Sequence, residues 1–181
     1  MNCQVDPPTT QAHIGKSITE EKTLGNNYMN DLYYFKNNEL KKISSSYFQD
    51  KYLGLFFGAS WCKYCTIFVE NINKFKKNFP FIQIIYIPFD QTYDDYLKFL
   101  KNTDFYSLPF NNYLNICNKF NVKNLPSFII VSPNNDILVK DGVQLIKTDS
   151  YLKNFKSLLQ NHVITPKTFK FKNRFYDLFC G

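Results

Sequence analysis

Only one of the 22 basic residues is an arginine, Arg174, so the formal charge of +7 rests almost wholly on lysine. Guanidinium is the group suited to bidentate contact with phosphates and guanine edges. With so little of it, and no recognisable nucleic-acid module, no nucleic-acid partner is expected and the lysines read as a dispersed solvated surface. Histidine is equally scarce, His13 and His162 being the two in the chain. A zinc site built on Cys-x-x-Cys needs two further ligands, commonly a second close Cys or His pair. Beyond Cys62 and Cys65 the cysteines are Cys3, Cys117 and Cys180, widely scattered, so no metal is expected. An odd, unevenly spaced set of five also differs from a secreted disulfide framework. No apolar run is long enough to span a bilayer, and the first thirty residues carry no apolar signal core. Met1-Asn2 does not start a myristoylation pattern, and Cys180-Gly181 lies too near the end for prenylation. The expectation is a soluble monomer without membrane contacts, in a reducing compartment such as the cytosol.

What the chain does have is bulk and one motif. Its 181 residues include 19 Phe and 13 Tyr, ample packing material for one domain with extensions. The motif is Trp61-Cys62-Lys63-Tyr64-Cys65, placed where the strand-like run 52–59 gives way to a helix-like run from Cys65 to about Lys77. At a helix start, unpaired backbone N–H groups and the positive end of the dipole favour negative charge. A thiol of ordinary pKa about 8.5 is lowered there and in Cys-x-x-Cys contexts to roughly 3.5–7.5, and Lys63 adds a nearby cation. Cys65, further into the helix, is expected to be covered. The predicted division of labour is that Cys62 attacks and Cys65 resolves, through a mixed disulfide. A purely structural role is disfavoured because so short a loop constrains almost no chain.

In chain order, residues 1–30 read as a flexible lead-in and 31–161 as the folded domain. Leu32–Phe35 predicts a strand, Asn37-Asn38 a turn, and Glu39–Ile43 a returning strand. After the motif, Phe68, Ile72, Phe75 and Phe79 recur at helical spacing until Pro80 stops the helix. Phe81–Ile87 predicts a strand buried on both faces, closed by Asp90. Thr92 with Asp95 predicts an N-cap for a helix whose face is Tyr93, Tyr96, Leu97 and Leu100. A second helix carries Tyr113, Ile116, Cys117 and Phe120, with Cys117 a buried, inert thiol. Ser127–Val131 and Ile137–Val139 predict a hairpin, and Asp149 a cap for a last helix lined by Leu152, Phe155, Leu158 and Leu159. Helices alternating with strands, then a hairpin, imply an α/β fold with a mixed central sheet flanked on both faces. The extension 162–181 alternates basic and aromatic residues, as in Phe169-Lys170-Phe171-Lys172. It is expected to dock as a strand, cover an apolar patch or bind a partner.

Trp-Cys-x-x-Cys, the downstream Leu125-Pro126-Ser127 before a strand, and the closing hairpin and helix resemble the thioredoxin superfamily. The long interval from Cys65 to Pro126, with an inserted helix near 93–103, resembles its tryparedoxin and nucleoredoxin branch. The resemblance covers roughly 32–160. It implies a thioredoxin-like fold, a cis Leu125–Pro126 bond beside the dithiol, and pairing of the Leu125 backbone with a substrate chain. It implies no bound cofactor, since the electrons reside in the two thiols. Two positions depart from the pattern. Phe56 stands where thioredoxins carry a buried Asp six residues before the first cysteine, and Tyr86 where a companion Lys is expected, leaving solvent or Tyr86 to move protons. Tyr64 stands where thioredoxin and tryparedoxin motifs carry Pro, and resembles the tyrosine in the Cys-Pro-Tyr-Cys of glutaredoxins.

The function these residues imply is thiol–disulfide oxidoreduction on disulfide-containing client proteins and glutathione, with glutathione as the reductant. Trp61 would shield the sulfurs and offer apolar surface to substrates. The alternative is a redox-gated binding protein in which the same dithiol switches a docking surface.

Overall fold

The computed structural model describes Met29 and residues 31–148 and 150–163. The chain divides into two compact units between Lys147 and Thr148. Cys3, His13, Asp149, Cys180 and all of the basic-aromatic extension beyond residue 163 lie outside the described residues. Of the expected lead-in, Met29 alone is described, and it is buried in the core.

Strands β1 (Asp31–Lys36) and β2 (Glu39–Ser44) form an antiparallel hairpin. The Asn37-Asn38 turn that closes it has φ 53° and 64°, the left-handed backbone that matches a two-residue turn to the twist of its strands. Asp50, Asn111, Asn121 and Asn135 also adopt positive φ, whereas no described glycine does. Asparagine tolerates this region because its short polar side chain bonds locally to the backbone. In this glycine-poor chain it takes over glycine's turn positions. Asn38→Ala should therefore cost about 1 kcal/mol of stability, and Asn38→Gly none, by urea melts of the two variants against the parent.

Strands β3 (Tyr52–Gly58), β4 (Ile82–Pro88) and β5 (Tyr106–Ser107) are parallel to one another; β6 (Ser127–Val131) and β7 (Ile137–Val139) extend the sheet antiparallel. The seven-stranded order is β2-β1-β5-β4-β3-β6-β7. Leu55 of β3 lies opposite Ile85 of β4 and Ile129 of β6, so β3 is an inner strand, and it is buried from Leu53 to Gly58.

The two faces of β3 carry different chemistry. Leu53, Leu55 and Phe57 join Ile85, Ile87, Ile129 and Val131 in one apolar cluster, closed by Ile116, Cys117 and Phe120 of the helix α3 (Leu114–Phe120). The other face is built from rings. Phe56 touches Phe68, Tyr86, Phe99 and Phe105, and Tyr86 stacks on Phe99 with centroids 4.2 Å apart. Helices α1 (Lys63–Asn78) and α2 (Tyr93–Lys101) supply Phe68 and Phe99. Helix α4 (Gly142–Lys147) packs on β6 and α1. Gly142 allows that approach, since a Cβ there would meet the Phe128 carbonyl oxygen at 2.6 Å.

The buried stripe of α1 is Phe68, Ile72 and Phe75, with Phe79 capping the end before Pro80. In α2 the expected N-cap is present: Thr92 Oγ1 accepts from the Asp95 N–H at 3.1 Å and donates to Asp95 Oδ2 at 2.7 Å. Its buried face is Tyr96, Phe99 and Leu100, and Tyr93, expected on that face, is 48% exposed. Strand β5, α4 and a short 3-10 turn over Ser45–Phe48 were not expected. In the second unit, α5 (Tyr151–Val163) buries Phe155 and leaves Leu152 and Leu158 exposed.

Candidate functional site

The carboxyl end of β3 runs directly into the motif. Ala59 is buried, Ser60 and Trp61 turn, and Cys62 becomes the N-cap of α1 with extended backbone (φ −85°, ψ 103°). A cap residue's side chain ordinarily accepts from an orphan N–H of the first helical turn. Here the acceptor is sulfur: the Cys65 N–H lies 3.3 Å from Cys62 Sγ. The Cys62 carbonyl accepts from the N–H groups of Cys65 at 2.9 Å and Thr66 at 3.1 Å, starting the helix. Cys62 and Cys65 are disulfide-bonded, with Cα atoms 5.2 Å apart. Cys65 is fully buried, whereas Cys62 is half-buried. An attacking reagent therefore reaches the first sulfur and not the second.

The surrounding motif residues are on the surface. Trp61 is 48% and Tyr64 74% exposed, and Lys63 is exposed beside them. The Trp61 indole is nonetheless fixed, its Nε1–H donating to the Phe89 carbonyl at 3.0 Å. Leu125 and Pro126 arrive by another route. Their peptide bond is cis, and Ser127 pairs with Phe57. Continuing that register sets Pro126 opposite Gly58, at the end of β3 from which the motif departs. Leu125 packs against the apolar cluster of that face. The sheet thus brings Pro126 and the start of the motif to the same end of neighbouring strands, far apart as they are in the chain.

Sequence reasoning missed the segment that holds the motif from the side. Asp90, taken as the end of a strand, is buried at 4% exposure. Its Oδ1 accepts from the Ser60 N–H at 2.7 Å and its Oδ2 from the Tyr86 hydroxyl at 2.7 Å. The Phe89 N–H donates to the Gly58 carbonyl at 2.9 Å. The Phe89-Asp90 pair therefore clamps Gly58, Ser60 and Trp61 in succession. Burial pushes the Tyr86 phenol far above its ordinary value, with the Asp90 charge adding to the effect. That phenol stays a hydrogen-bond donor, committed to Asp90. An aspartate two residues after a largely apolar strand was the available signal. Cys117, by contrast, is buried as expected, its thiol 3.2 Å from the Val122 carbonyl.

Chemically, the arrangement suits an exchange in which the thiol of a half-buried cysteine at a helix start carries negative charge and a fully buried one follows it. Among the described residues no three His, Cys, Asp or Glu side chains converge as a metal would require. No helix of the described residues is long and apolar enough to cross a membrane.

Comparison with known proteins places this geometry. The family model described as thioredoxin-like matches residues 50–137. A probable nucleoredoxin 2 of Oryza sativa subsp. japonica is 24% identical over 119 residues, 62% of this chain and 30% of that protein. The nucleoredoxin of Bos taurus is 19% identical over 122 residues, 64% of this chain and 28% of its own length. The chain thus matches less than a third of either relative. Tryparedoxin II of C. fasciculata superposes with a TM-score of 0.62 at 20% identity, over 71% of this chain and 91% of that structure. Its complex with glutathionylspermidine gives 0.62 at 20% identity, over 71% and 92%. Tryparedoxin of Trypanosoma brucei gives 0.61 at 20%, over 70% and 90%. The chain has the thioredoxin-like fold, a mixed sheet flanked by helices.

Proposed function

We propose that a protein with this fold and this sulfur pair is a dithiol–disulfide oxidoreductase, reducing disulfides of client proteins and of glutathione in the cytosol. The observation that carries the reading is the asymmetry of the pair: Cys62 is half-buried, its Sγ capped by the Cys65 N–H, and Cys65 is sealed. The Cys62 thiolate attacks one sulfur of a client disulfide; the new S–S bond forms as the old one breaks, and one client thiolate departs. Cys65, as its thiolate, then attacks Cys62 Sγ, releasing the second client thiol and closing the Cys62–Cys65 disulfide. Two electrons pass to the client and two protons are taken up by its thiols. Trp61, held by Phe89, is the apolar wall beside the exposed sulfur, and the Leu125 backbone before Pro126 pairs with the client chain.

Glutathione is the proposed reductant, two molecules restoring the dithiol and leaving as their disulfide. Support comes from Tyr64, which resembles the glutaredoxin motif tyrosine, and from the lysine-rich surface, which favours encounter with an anionic tripeptide. The neighbouring tryparedoxin II structure holds glutathionylspermidine, a related thiol. Trp61-Cys62-Lys63-Tyr64-Cys65 on a chain rich in Lys, Asn and aromatics further resembles plasmoredoxin. The pair should then have a potential between about −270 and −200 mV, the interval from thioredoxin to the glutaredoxins. The test is insulin reduction with glutathione as the sole electron donor, alongside titration of the disulfide against glutathione buffers. Turnover with a potential in that interval supports the reading. A disulfide that glutathione leaves intact removes the coupling, and oxidation-dependent binding without turnover assigns the dithiol to a switch instead.

A further inference from the structure

Asp90 is the one buried charged side chain among the described residues, and no basic group pairs with it there. Taking a carboxylate out of water is costly unless hydrogen bonds replace the solvent. The two partners it has are informative: a backbone N–H two residues ahead of the attacking cysteine, and a tyrosine hydroxyl that donates to it. An apolar residue would fill the space at lower cost, so what the carboxylate adds is the hold on Ser60.

We infer that Asp90 is a positioning residue for the dithiol: braced by Tyr86, it holds the Ser60–Trp61 turn so that Cys62 Sγ rests on the Cys65 N–H at the start of α1. This deepens the oxidoreductase reading and rests on it. The chain of contacts is continuous. Asp90 Oδ1 fixes Ser60, the Phe89 carbonyl fixes the Trp61 indole, and the Cys62 N–H donates back to the Ala59 carbonyl at 3.1 Å. The turn is thereby held on both sides of the point where extended backbone must become helix. Loosening Ser60 frees Cys62 to rotate away from the cap, and its sulfur loses the N–H that favours the thiolate. The titratable groups on the segments that meet here are Lys63 and Tyr64 of α1, Tyr86 of β4, Asp90 itself, and Asp95 and Lys98 of α2, which line one cavity with Ser60 and Trp61. Tyr86 keeps its proton across the working range, so it contributes a fixed donor and not a titration.

The experiment is alkylation of the reduced full-length protein across pH 4–10, with the Cys62 adduct followed by peptide mass spectrometry. Asp90→Ala should move the midpoint for Cys62 upward and slow its reaction at pH 7 about tenfold, on the scale of helix-start thiol activation. Asp90→Asn keeps an oxygen for the Ser60 N–H and turns its amide hydrogens to the Tyr86 oxygen. It should restore the midpoint to the wild-type value or below. Tyr86→Phe keeps the ring packing and removes the brace, and should shift the midpoint part of the way. Val139→Ala on β7, remote from the motif, is the control for simple loss of stability, and should lower Tm without moving the midpoint. If Asp90→Ala and Tyr86→Phe leave the midpoint where Val139→Ala leaves it, the inference is overturned. Should Asp90→Ala not fold, Tyr86→Phe decides alone. A wild-type Cys62 that alkylates as an ordinary thiol overturns the oxidoreductase reading instead, so the two failures are distinct.

Discussion

Cys62→Ser should lose disulfide-reductase turnover by at least about 10³-fold, the order of loss when an enzyme's attacking group is itself removed. A serine hydroxyl at the same cap accepts the Cys65 N–H as well as sulfur does, so the helix start should survive. What disappears is an anion able to attack a disulfide at neutral pH. Cys65→Ser should behave differently. The half-exposed Cys62 still attacks, but the buried position behind it can no longer break the mixed disulfide, so clients accumulate covalently bound. Non-reducing electrophoresis should show discrete adducts in Cys65→Ser and none in Cys62→Ser or the double variant. Adducts of equal yield on Cys65 in a Cys62→Ser protein would reverse the assignment of attacker and resolver. Identifying the trapped proteins by mass spectrometry also names the clients, which the chain's own residues do not specify.

How much of this was legible beforehand follows from the range of each interaction. The motif, α1 and the buried strands rest on local pattern: continuous β-branched runs, a helical apolar stripe, a proline stop. Each reappears within a residue or two of its expected place, as with Ser127–Val131 and with α1 ending before Pro80. Strand β5 is two residues long and exists because Tyr106 and Ser107 fit between β1 and β4. No window of sequence around it contains that reason. Helix α4 begins on a glycine, a poor helix former chosen for close approach to Phe128, and so hides from propensity. The face of α2 was misjudged because Tyr93 and Phe99 are both aromatic and periodicity alone does not rank them. The sheet ranks them, since Phe99 stacks on Tyr86 and Phe56. Asp90 is the instructive omission at the site. Its partners are four residues back in a strand and thirty residues back in a turn, and only the parallel pairing of β3 with β4 brings them together.

Phe56→Asp should be the most damaging single substitution in the folded domain. The position is where thioredoxins place a buried carboxylate, so by resemblance alone the change would look restorative. In this chain Phe56 is fully buried with Phe68, Tyr86, Phe99 and Phe105 around it, and the nearby carboxylate is Asp90, anchored elsewhere. Removing the ring with Phe56→Ala should cost about 3–5 kcal/mol, through lost transfer energy and a cavity the neighbouring rings cannot close. Asp leaves the same cavity and adds a carboxyl group among rings whose one hydroxyl, that of Tyr86, is already bonded to Asp90, a further penalty of about 1–3 kcal/mol or more. Against a domain stability of about 5–15 kcal/mol, Phe56→Asp should leave much of the population unfolded at pH 7. The pH dependence carries the sign. Burial raises the folded-state pKa of the new carboxyl above its unfolded value of about 3.9. The variant is thus least handicapped below that pH and loses stability as pH rises through the folded pKa. Urea midpoints for Phe56→Asp and Phe56→Ala, measured at pH 4 and pH 7 against wild type, should lie closer together at the lower pH and diverge at the higher. A Phe56→Asp protein as stable as wild type at pH 7, or one whose deficit grows on acidification, would mean that the aromatic face is not what occupies this side of the sheet.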